Sequence, residues 1–279
     1  MPAYQFTRLS RAVVIVAGED RKTFLQGLIS NDVNKVRADT ALWAALLTAQ
    51  GKFMWDIFAS EAGDVLLLDV DGDTAEAFRK KLSLYKLRSK VTVTLSDLAV
   101  FAVFGGDGAL PPGCIADSRL PELGGRFYAT DATALIAAGL SEAPPTAWDR
   151  LRLGLGIPDG ARDLVVDKAL LLENGFDELG GVDFNKGCYM GQELTARTKY
   201  RGLIRKRLLP VHFDGPPPAA GTPVLAGEAE AGEMRSGIDG IGLAMIRLDY
   251  LRPDVALSCG GKALGAAVPA WAVLPAQAD

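Results

Sequence analysis

One thiol sits between two glycines in Asn185-Lys186-Gly187-Cys188-Tyr189-Met190-Gly191-Gln192-Glu193, beside a lysine and just ahead of a plausible helix start. A cysteine is a nucleophile or metal ligand only as its thiolate, and a neighbouring cation or the positive end of a helix dipole favours that form. Lys186 is the neighbouring cation here, and Gln192-Glu193-Leu194 is the candidate helix start. Gly187 and Gly191 add backbone freedom, since glycine takes positive φ and lets another molecule approach the main chain closely. The rival reading of Cys188 is a small buried hydrophobe, the commoner fate of a lone cysteine. Spacing alone leaves both readings open.

The remaining chemistry-bearing residues narrow the classes. Cys114, Cys188 and Cys259 are odd in number and far apart, which suits neither a disulfide framework nor a CxxC metal clip, so no self-contained metal site is expected. His212 is the sole histidine and lies in the apolar run Leu208-Leu209-Pro210-Val211-His212-Phe213, where it reads as structural. Serine-histidine-aspartate catalysis and multi-histidine metal sites therefore lack material. The formal charge of −4 gives no global reason to expect nucleic acid as a partner. Charge is nevertheless uneven: Lys186, Arg197, Lys199, Arg201, Arg205, Lys206 and Arg207 gather around and after the thiol. Such a run suits an anionic ligand, its rival being a solvated basic face.

These residues need elements to hold them. A chain of 279 residues, 49% of them apolar, can form two or three packed units. Its longest apolar runs, such as Ala12 to Ala17, fall far short of the roughly 18 residues of a membrane helix, and no membrane partner is expected. Met1-Pro2-Ala3-Tyr4-Gln5-Phe6 shows no leader pattern, so a cytoplasmic location is expected. Val13 to Ala17, Leu42 to Leu47, Phe53 to Ala59 and Val65 to Val70 read as strands, with Gln50-Gly51-Lys52 a tight turn and Asp20 opening a helix through Phe24 and Leu28. Thr74 to Leu87 has helical periodicity, with Arg79, Lys80 and Lys81 on its wet side. Val91 to Leu95 and Val100 to Phe104 are two further strand-like runs, and Trp148 to Leu155 reads as a helix stopped by Gly156. Asp214-Gly215-Pro216-Pro217-Pro218-Ala219-Ala220-Gly221 is the clearest linker, followed by short strand-like runs as in a small barrel. The fold class is α+β.

Lys186-Gly187-Cys188-Tyr189-Met190-Gly191-Gln192-Glu193 resembles the KGCYxGQE signature of the YgfZ family, folate-binding iron-sulfur maturation factors related to the T-protein (aminomethyltransferase) of the glycine cleavage system. Phe24-Leu25-Gln26-Gly27-Leu28-Ile29-Ser30-Asn31-Asp32-Val33 is similar to the family's FLQGxxTNDV element, and Leu47 to Asp56 follows in the expected order. Gly232-Glu233-Met234-Arg235-Ser236-Gly237 resembles a segment of its terminal barrel, with Arg235 where threonine is common. The resemblance implies a T-protein-like ring of subdomains with mixed and antiparallel sheets, a folate-binding region over 1–205 made of two interleaved α+β subdomains, and a C-terminal β-barrel over 206–279. It further implies tetrahydrofolate or a one-carbon derivative as cofactor, with Glu173 on the pterin, Asp56 by the folate nitrogen that carries the one-carbon unit, and Lys186, Tyr189 and Arg197 about the same ligand. Cys188 replaces an acidic residue of the T-protein motif, which points to a changed reaction. The function implied is assistance to iron-sulfur cluster assembly or repair, with client or assembly proteins as partners and Cys188 as the reactive thiol. A folate-dependent aminomethyl or one-carbon transferase is the alternative, and a passive folate binder a third; turnover is left open.

Overall fold

The computed structural model describes residues 3–275; the outer ends of the expected 1–205 and 206–279 units, residues 1, 2 and 276–279, lie outside the described residues. Strands β1 (Gln5–Ala17), β2 (Thr40–Leu47), β3 (Phe53–Ala62), β4 (Val65–Asp71), β5 (Thr92–Phe104), β6 (Ile115–Asp117), β7 (Gly125–Ala129) and β8 (Ser141–Glu142) hydrogen-bond in the order β4-β3-β2-β6-β7-β5-β1-β8. β1 also pairs antiparallel with β4 from Arg11 to Ala17, which closes the sheet on itself. Only β1–β8 and β2–β6 run parallel among the named pairs of this sheet.

Alternation along the strands feeds separate cores, because successive side chains point to opposite faces. Val14 and Val16 enter one core with Leu66, Leu68, Phe24 and Leu25 of α1 (Arg21–Gln26), and Phe78 and Leu82 of α2 (Ala75–Tyr85). Val13, just before them, packs on Leu67 and Val100 instead, and Ile15, between them, joins that group. On the other face, Trp43, Leu47, Phe53 and Phe58 of β2 and β3 form a second core with Leu171, Leu172 and Phe176. Trp43 stacks on Phe176 with ring centroids 3.7 Å apart. Each such side chain removed from water contributes about 1.5–3 kcal/mol, so this core anchors the segment that leads into the thiol loop.

The expected runs Val91 to Leu95 and Val100 to Phe104 are one strand. One register shift against β1, between Ala12 and Val14, absorbs the polar interruption at Ser96-Asp97, and a second, between Arg8 and Ala12, puts the extra residues on β1. After α3 (Thr133–Ala137) come α4 (Pro145–Gly154), α5 (Gly160–Asp163) and α6 (Gln192–Tyr200).

The C-terminal strands β9 (Lys206–His212), β10 (Pro223–Ala226), β11 (Ala229–Ile238), β12 (Ile241–Arg247), β13 (Leu257–Cys259) and β14 (Lys262–Ala266) close into a barrel in the order β10-β11-β12-β9-β14-β13. Leu209, Val211, Val224, Met234, Ala244 and Ile246 fill it. Leu208, Leu243 and Met245 face outward onto Leu153 of α4, so the barrel wall also serves the rest of the molecule. The proline-rich stretch Asp214 to Gly221 connects β9 to β10 and so lies inside the barrel. Proline cannot donate to a strand ladder, so a run of three marks a break without saying which break. His212 ends β9 exposed, paired in the ladder with Ile241 and Gly265.

Candidate functional site

Cys188 is solvent-exposed, whereas Cys259 is buried in the barrel and Cys114 is half-buried. Its loop is fastened from several sides. The Lys186 Nζ donates to the main-chain oxygens of Gln26, Ile29 and Asn31 at 2.9, 2.7 and 2.7 Å. Those carbonyls belong to the end of α1 and the chain after it, where a helix leaves acceptors without intrahelical partners. Burial draws Lys186 down to about 8, while three carbonyl acceptors favour its charged form. The main chain adds Met190 N to Gly27 O at 3.0 Å and Asp183 N to Ser30 O at 3.1 Å. Ser30 Oγ donates to Gly181 O and Asn31 Nδ2 to Gly180 O, both at 2.6 Å. The Gly27 to Asp32 segment and the thiol motif are thus one bonded unit.

The β2–β3 turn completes it. Gly51 has φ +81° and a Cβ there would fall 2.6 Å from the Gly191 carbonyl, while Gly191, at φ +80°, would place a Cβ 2.9 Å from the Gly51 Cα. Both glycines are required by positive φ and by this mutual approach. Gly191 opens α6 with no side-chain cap, and the Gln192 side chain accepts from Tyr189 N at 3.2 Å.

Of the residues expected around a folate, only Lys186 and Tyr189 lie together among the described residues. Tyr189 is buried in the second core, which pushes its hydroxyl up to about 12. Its ring lies 5.1 Å from the Lys186 ammonium, so Lys186 serves α1 and Tyr189 and makes no hydrogen bond to Cys188. Arg197 is exposed on α6 without an ion-pair partner among the described residues. Glu173 sits in the short 3₁₀ turn Leu171–Asn174, 6% exposed, and burial raises its carboxyl although Lys206 approaches to 3.8 Å. Asp56 is buried elsewhere on the core, ion-paired to Arg11 at 3.2 Å, with Trp43 Nε1 at 3.5 Å.

Of these residues only Asp56 lines a cavity of about 490 Å³ bounded by Arg8, Arg11, Phe58, Arg119, Arg126, Trp148, Arg152, Asp159 and Arg162 among others. Its walls are an arginine–aspartate lattice. Asp69 accepts from Arg11 and Arg126, Asp117 from Arg119 at 2.8 Å, and Asp163 from Arg152 at 2.9 Å. Although burial opposes ionisation, Arg162, Arg152 and Arg11 pull Asp159 down to about 2. Arg126 lies over the Phe58 ring at 3.3 Å, and its Nε has no hydrogen-bond partner. Sequence reading missed this lattice. Its one signal was charge inside apolar patterns: Asp69 within the Val65 to Val70 run, and Arg152 one turn after Trp148 on the buried face of α4. Among the described residues no three His, Cys, Asp or Glu side chains cluster to hold a metal ion.

A folate held jointly by Asp56 and Glu173 does not fit this arrangement. Trp43, next to Asp56, stacks on Phe176, three residues beyond Glu173, and the packed core continues through Leu171 and Leu172. The cavity by itself is a different matter: it offers a carboxylate, the aromatic side chains of Phe58 and Trp148, and arginines, within the size range of small-ligand sites.

Comparison with known proteins agrees with the fold. The family profile described as the CAF17 C-terminal beta-barrel domain matches residues 205–274. The mitochondrial iron-sulfur cluster assembly factor IBA57 of Mus musculus is 34% identical over 304 residues, covering 94% of this chain and 83% of that protein. The Homo sapiens protein of the same name is 33% identical with the same coverage, 94% and 83%. A Neurospora crassa IBA57 homolog, also mitochondrial, is 34% identical over 237 residues, and the match spans only 54% of its length. The crystal structure of the glycine cleavage system aminomethyltransferase T from Bartonella henselae superposes with a TM-score of 0.77 over 96% of this chain and 86% of that one; at 15% identity it shows the fold alone. The expectation of a cytoplasmic location is overturned by these relatives, all of which are mitochondrial by name. The absence of a leader pattern was a weak basis for it, because address signals are separate from the fold. An aminomethyltransferase-type fold carrying a CAF17-type barrel, together with this level of identity along nearly the whole chain, shows that the chain belongs to the IBA57 family of iron-sulfur cluster assembly factors.

Proposed function

We propose that this chain assists the assembly of iron-sulfur clusters in other proteins, and that Cys188 is its working thiol. One observation carries the reading: the only exposed cysteine stands on a loop held by Lys186, by the Gly27 to Asp32 segment and by the Gly51–Gly191 contact. A packing cysteine needs no such fastening and would not face solvent. One thiolate cannot hold a four-iron cluster, so the cluster is cargo whose remaining ligands come from a partner protein or a small thiol. The KGCYxGQE match supports the YgfZ-type form of this role. Transferase chemistry through Asp56 is disfavoured, because that carboxylate is buried and already ion-paired to Arg11.

Serine is nearly isosteric with cysteine but does not ionise at neutral pH. Cys188→Ser is expected to fold normally yet fail to sustain four-iron enzyme activity in a strain lacking the wild-type protein; full complementation would remove the thiol from the mechanism.

The cavity favours a second ligand reading. A tetrahydrofolate there would meet Asp56 and Asp159 with its ring nitrogens, Trp148 with its flat face, and Arg8 or Arg162 with its anionic tail; when bound it supplies a one-carbon carrier. Thermal-shift titration with tetrahydrofolate tests it. Asp56→Asn should weaken binding about ten- to a hundredfold and Glu173→Ala should not, whereas the reverse order would move the ligand to the Glu173 side.

A further inference from the structure

We infer that the exposed face of α6 and the chain after it is a docking surface for an acidic protein partner, placed to bring that partner's anionic groups onto Cys188. The inference rests on the reading of Cys188 as the working thiol.

α6 buries Thr195 and Thr198 against the molecule. With 3.6 residues per turn, Glu193, Arg197 and Tyr200 then share its outward stripe. Beyond the helix, Arg201, Leu203, Arg205 and Lys206 are also exposed. Two of the cations here are engaged, Lys199 with Asp177 and Lys206 with Glu173. Arg197, Arg201 and Arg205 have no ion-pair partner among the described residues. From Leu194 to Phe213 there is no acidic residue, in a chain whose formal charge is −4. Two apolar groups accompany the cations in solvent, Tyr200 at 75% exposure and Leu203 at 42%. Arginine with exposed tyrosine is the composition of interface hot spots, and the excess of Arg197, Arg201 and Arg205 over the single Glu193 on this face steers anionic partners by long-range attraction. The helix starts four residues after Cys188 on a loop bonded to the molecule, so the stripe and the thiol move as one body.

The apolar pair commits the surface to a protein partner, and the other charged macromolecule it could attract, a nucleic acid, becomes an outcome of the test. The probe is a pair of short cysteine peptides, one rich in Asp and Glu with a leucine and one with Lys in the acidic positions, each activated as a mixed disulfide with thionitrobenzoate. In the exchange the Cys188 thiolate attacks the peptide sulfur, the peptide–thionitrobenzoate S–S bond breaks, a Cys188–peptide disulfide forms, and thionitrobenzoate leaves as a coloured thiolate. The full chain is used with Cys114→Ser to silence the half-buried thiol, and Cys188→Ser is the blank.

At low salt the acidic peptide is expected to exchange about tenfold faster than the basic one, with the advantage collapsing as salt rises. Arg197→Glu with Arg201→Glu and Arg205→Glu should reverse the preference, and Tyr200→Ser should slow the acidic peptide without changing its salt dependence. Equal rates for the two peptides, or a preference that survives charge reversal in a folded variant, would overturn the inference. So would a single-stranded oligonucleotide that blocks the exchange more strongly than the unactivated acidic peptide at equal charge, since the face would then be a nucleic-acid site. Cys188→Ser complementation is independent of these rates, so failure of the thiol reading and failure of the docking reading are distinguishable.

Discussion

At the scale of single residues, two side chains of the thiol region have had their roles changed by their surroundings. Lys186 looks in the sequence like the cation that supports a thiolate or meets a ligand, because only adjacency is visible there; in the fold its ammonium closes the end of α1 through three carbonyls. Lys186→Met keeps the length and loses the bonds, leaving those carbonyls to find other partners. It should cost about 2–3 kcal/mol, seen as a lower denaturation midpoint, and should free the thiol loop, seen as faster amide exchange at Gly187 and Cys188. An unchanged midpoint would make the carbonyl cluster incidental. Glu173 carries a pH dependence with a definite sign. Burial raises its carboxyl in the folded state, so its contribution to stability is fully present below the unfolded value and is lost as pH rises through the folded one. Glu173→Gln should therefore raise the melting temperature at neutral pH, and the gain should fade on acidification through the carboxylate range. A gain that persists in acid would come from packing and not from charge.

Between elements, the legible part was wherever a local pattern had one physical meaning. The strands β2, β3 and β4, the helix α2 and the turn at Gly51 could be read because apolar runs, helical periodicity and a glycine turn each report on their own backbone. The single strand β5 was not legible, since the bulge that carries it past Ser96 and Asp97 depends on its partner β1. Nor was the position of the proline-rich loop, for the same reason. The meeting of Gly51 with Gly191 joins the two kinds: each glycine was visible, their contact was not. Gly191→Ala must adopt φ near +80° and also push against the Gly51 Cα and the Thr48 carbonyl. Backbone strain alone costs about 1–3 kcal/mol, and the displaced β2–β3 turn would move the start of α6. The expected result is lower stability together with altered Cys188 alkylation, whereas Gly187→Ala, whose added Cβ meets nothing within 4 Å, should leave both close to wild type.

Across the whole molecule, the fold was legible because several motifs occur in a fixed order along the chain, while the arginine–aspartate lattice was not, because its pairs join residues far apart and buried charges carry no periodicity. That lattice also ties the barrel to the rest. Arg152 of α4, 2% exposed, donates to Asp163 at 2.9 Å and to Ser236 Oγ of β11 at 2.8 Å, and Ser236 N donates to Asp163 at 3.1 Å. Nearby, Leu153 packs on Leu208, Leu243 and Met245 of the barrel wall, and Trp271 Nε1 reaches back to Leu155 O at 2.7 Å. A joint with buried charges and a shared apolar layer couples the two parts energetically, so the chain should unfold in one transition followed identically by backbone and tryptophan signals. Removing one partner of a buried ion pair leaves the other charge stranded, at a cost of about 3–5 kcal/mol, whereas replacing both by apolar groups is close to neutral. Arg152→Met should therefore be strongly destabilised, and Arg152→Met with Asp163→Leu should regain part of the loss. Because Asp163 also accepts from Asp159 N at 2.8 Å, from Ser236 N at 3.1 Å and from Ser236 Oγ, the recovery should stop short of wild type by about three hydrogen bonds, each on the order of 1 kcal/mol. Two separate transitions in the wild-type chain, or a double variant no better than the single one, would show that the barrel and the ring are held together by their apolar layer alone.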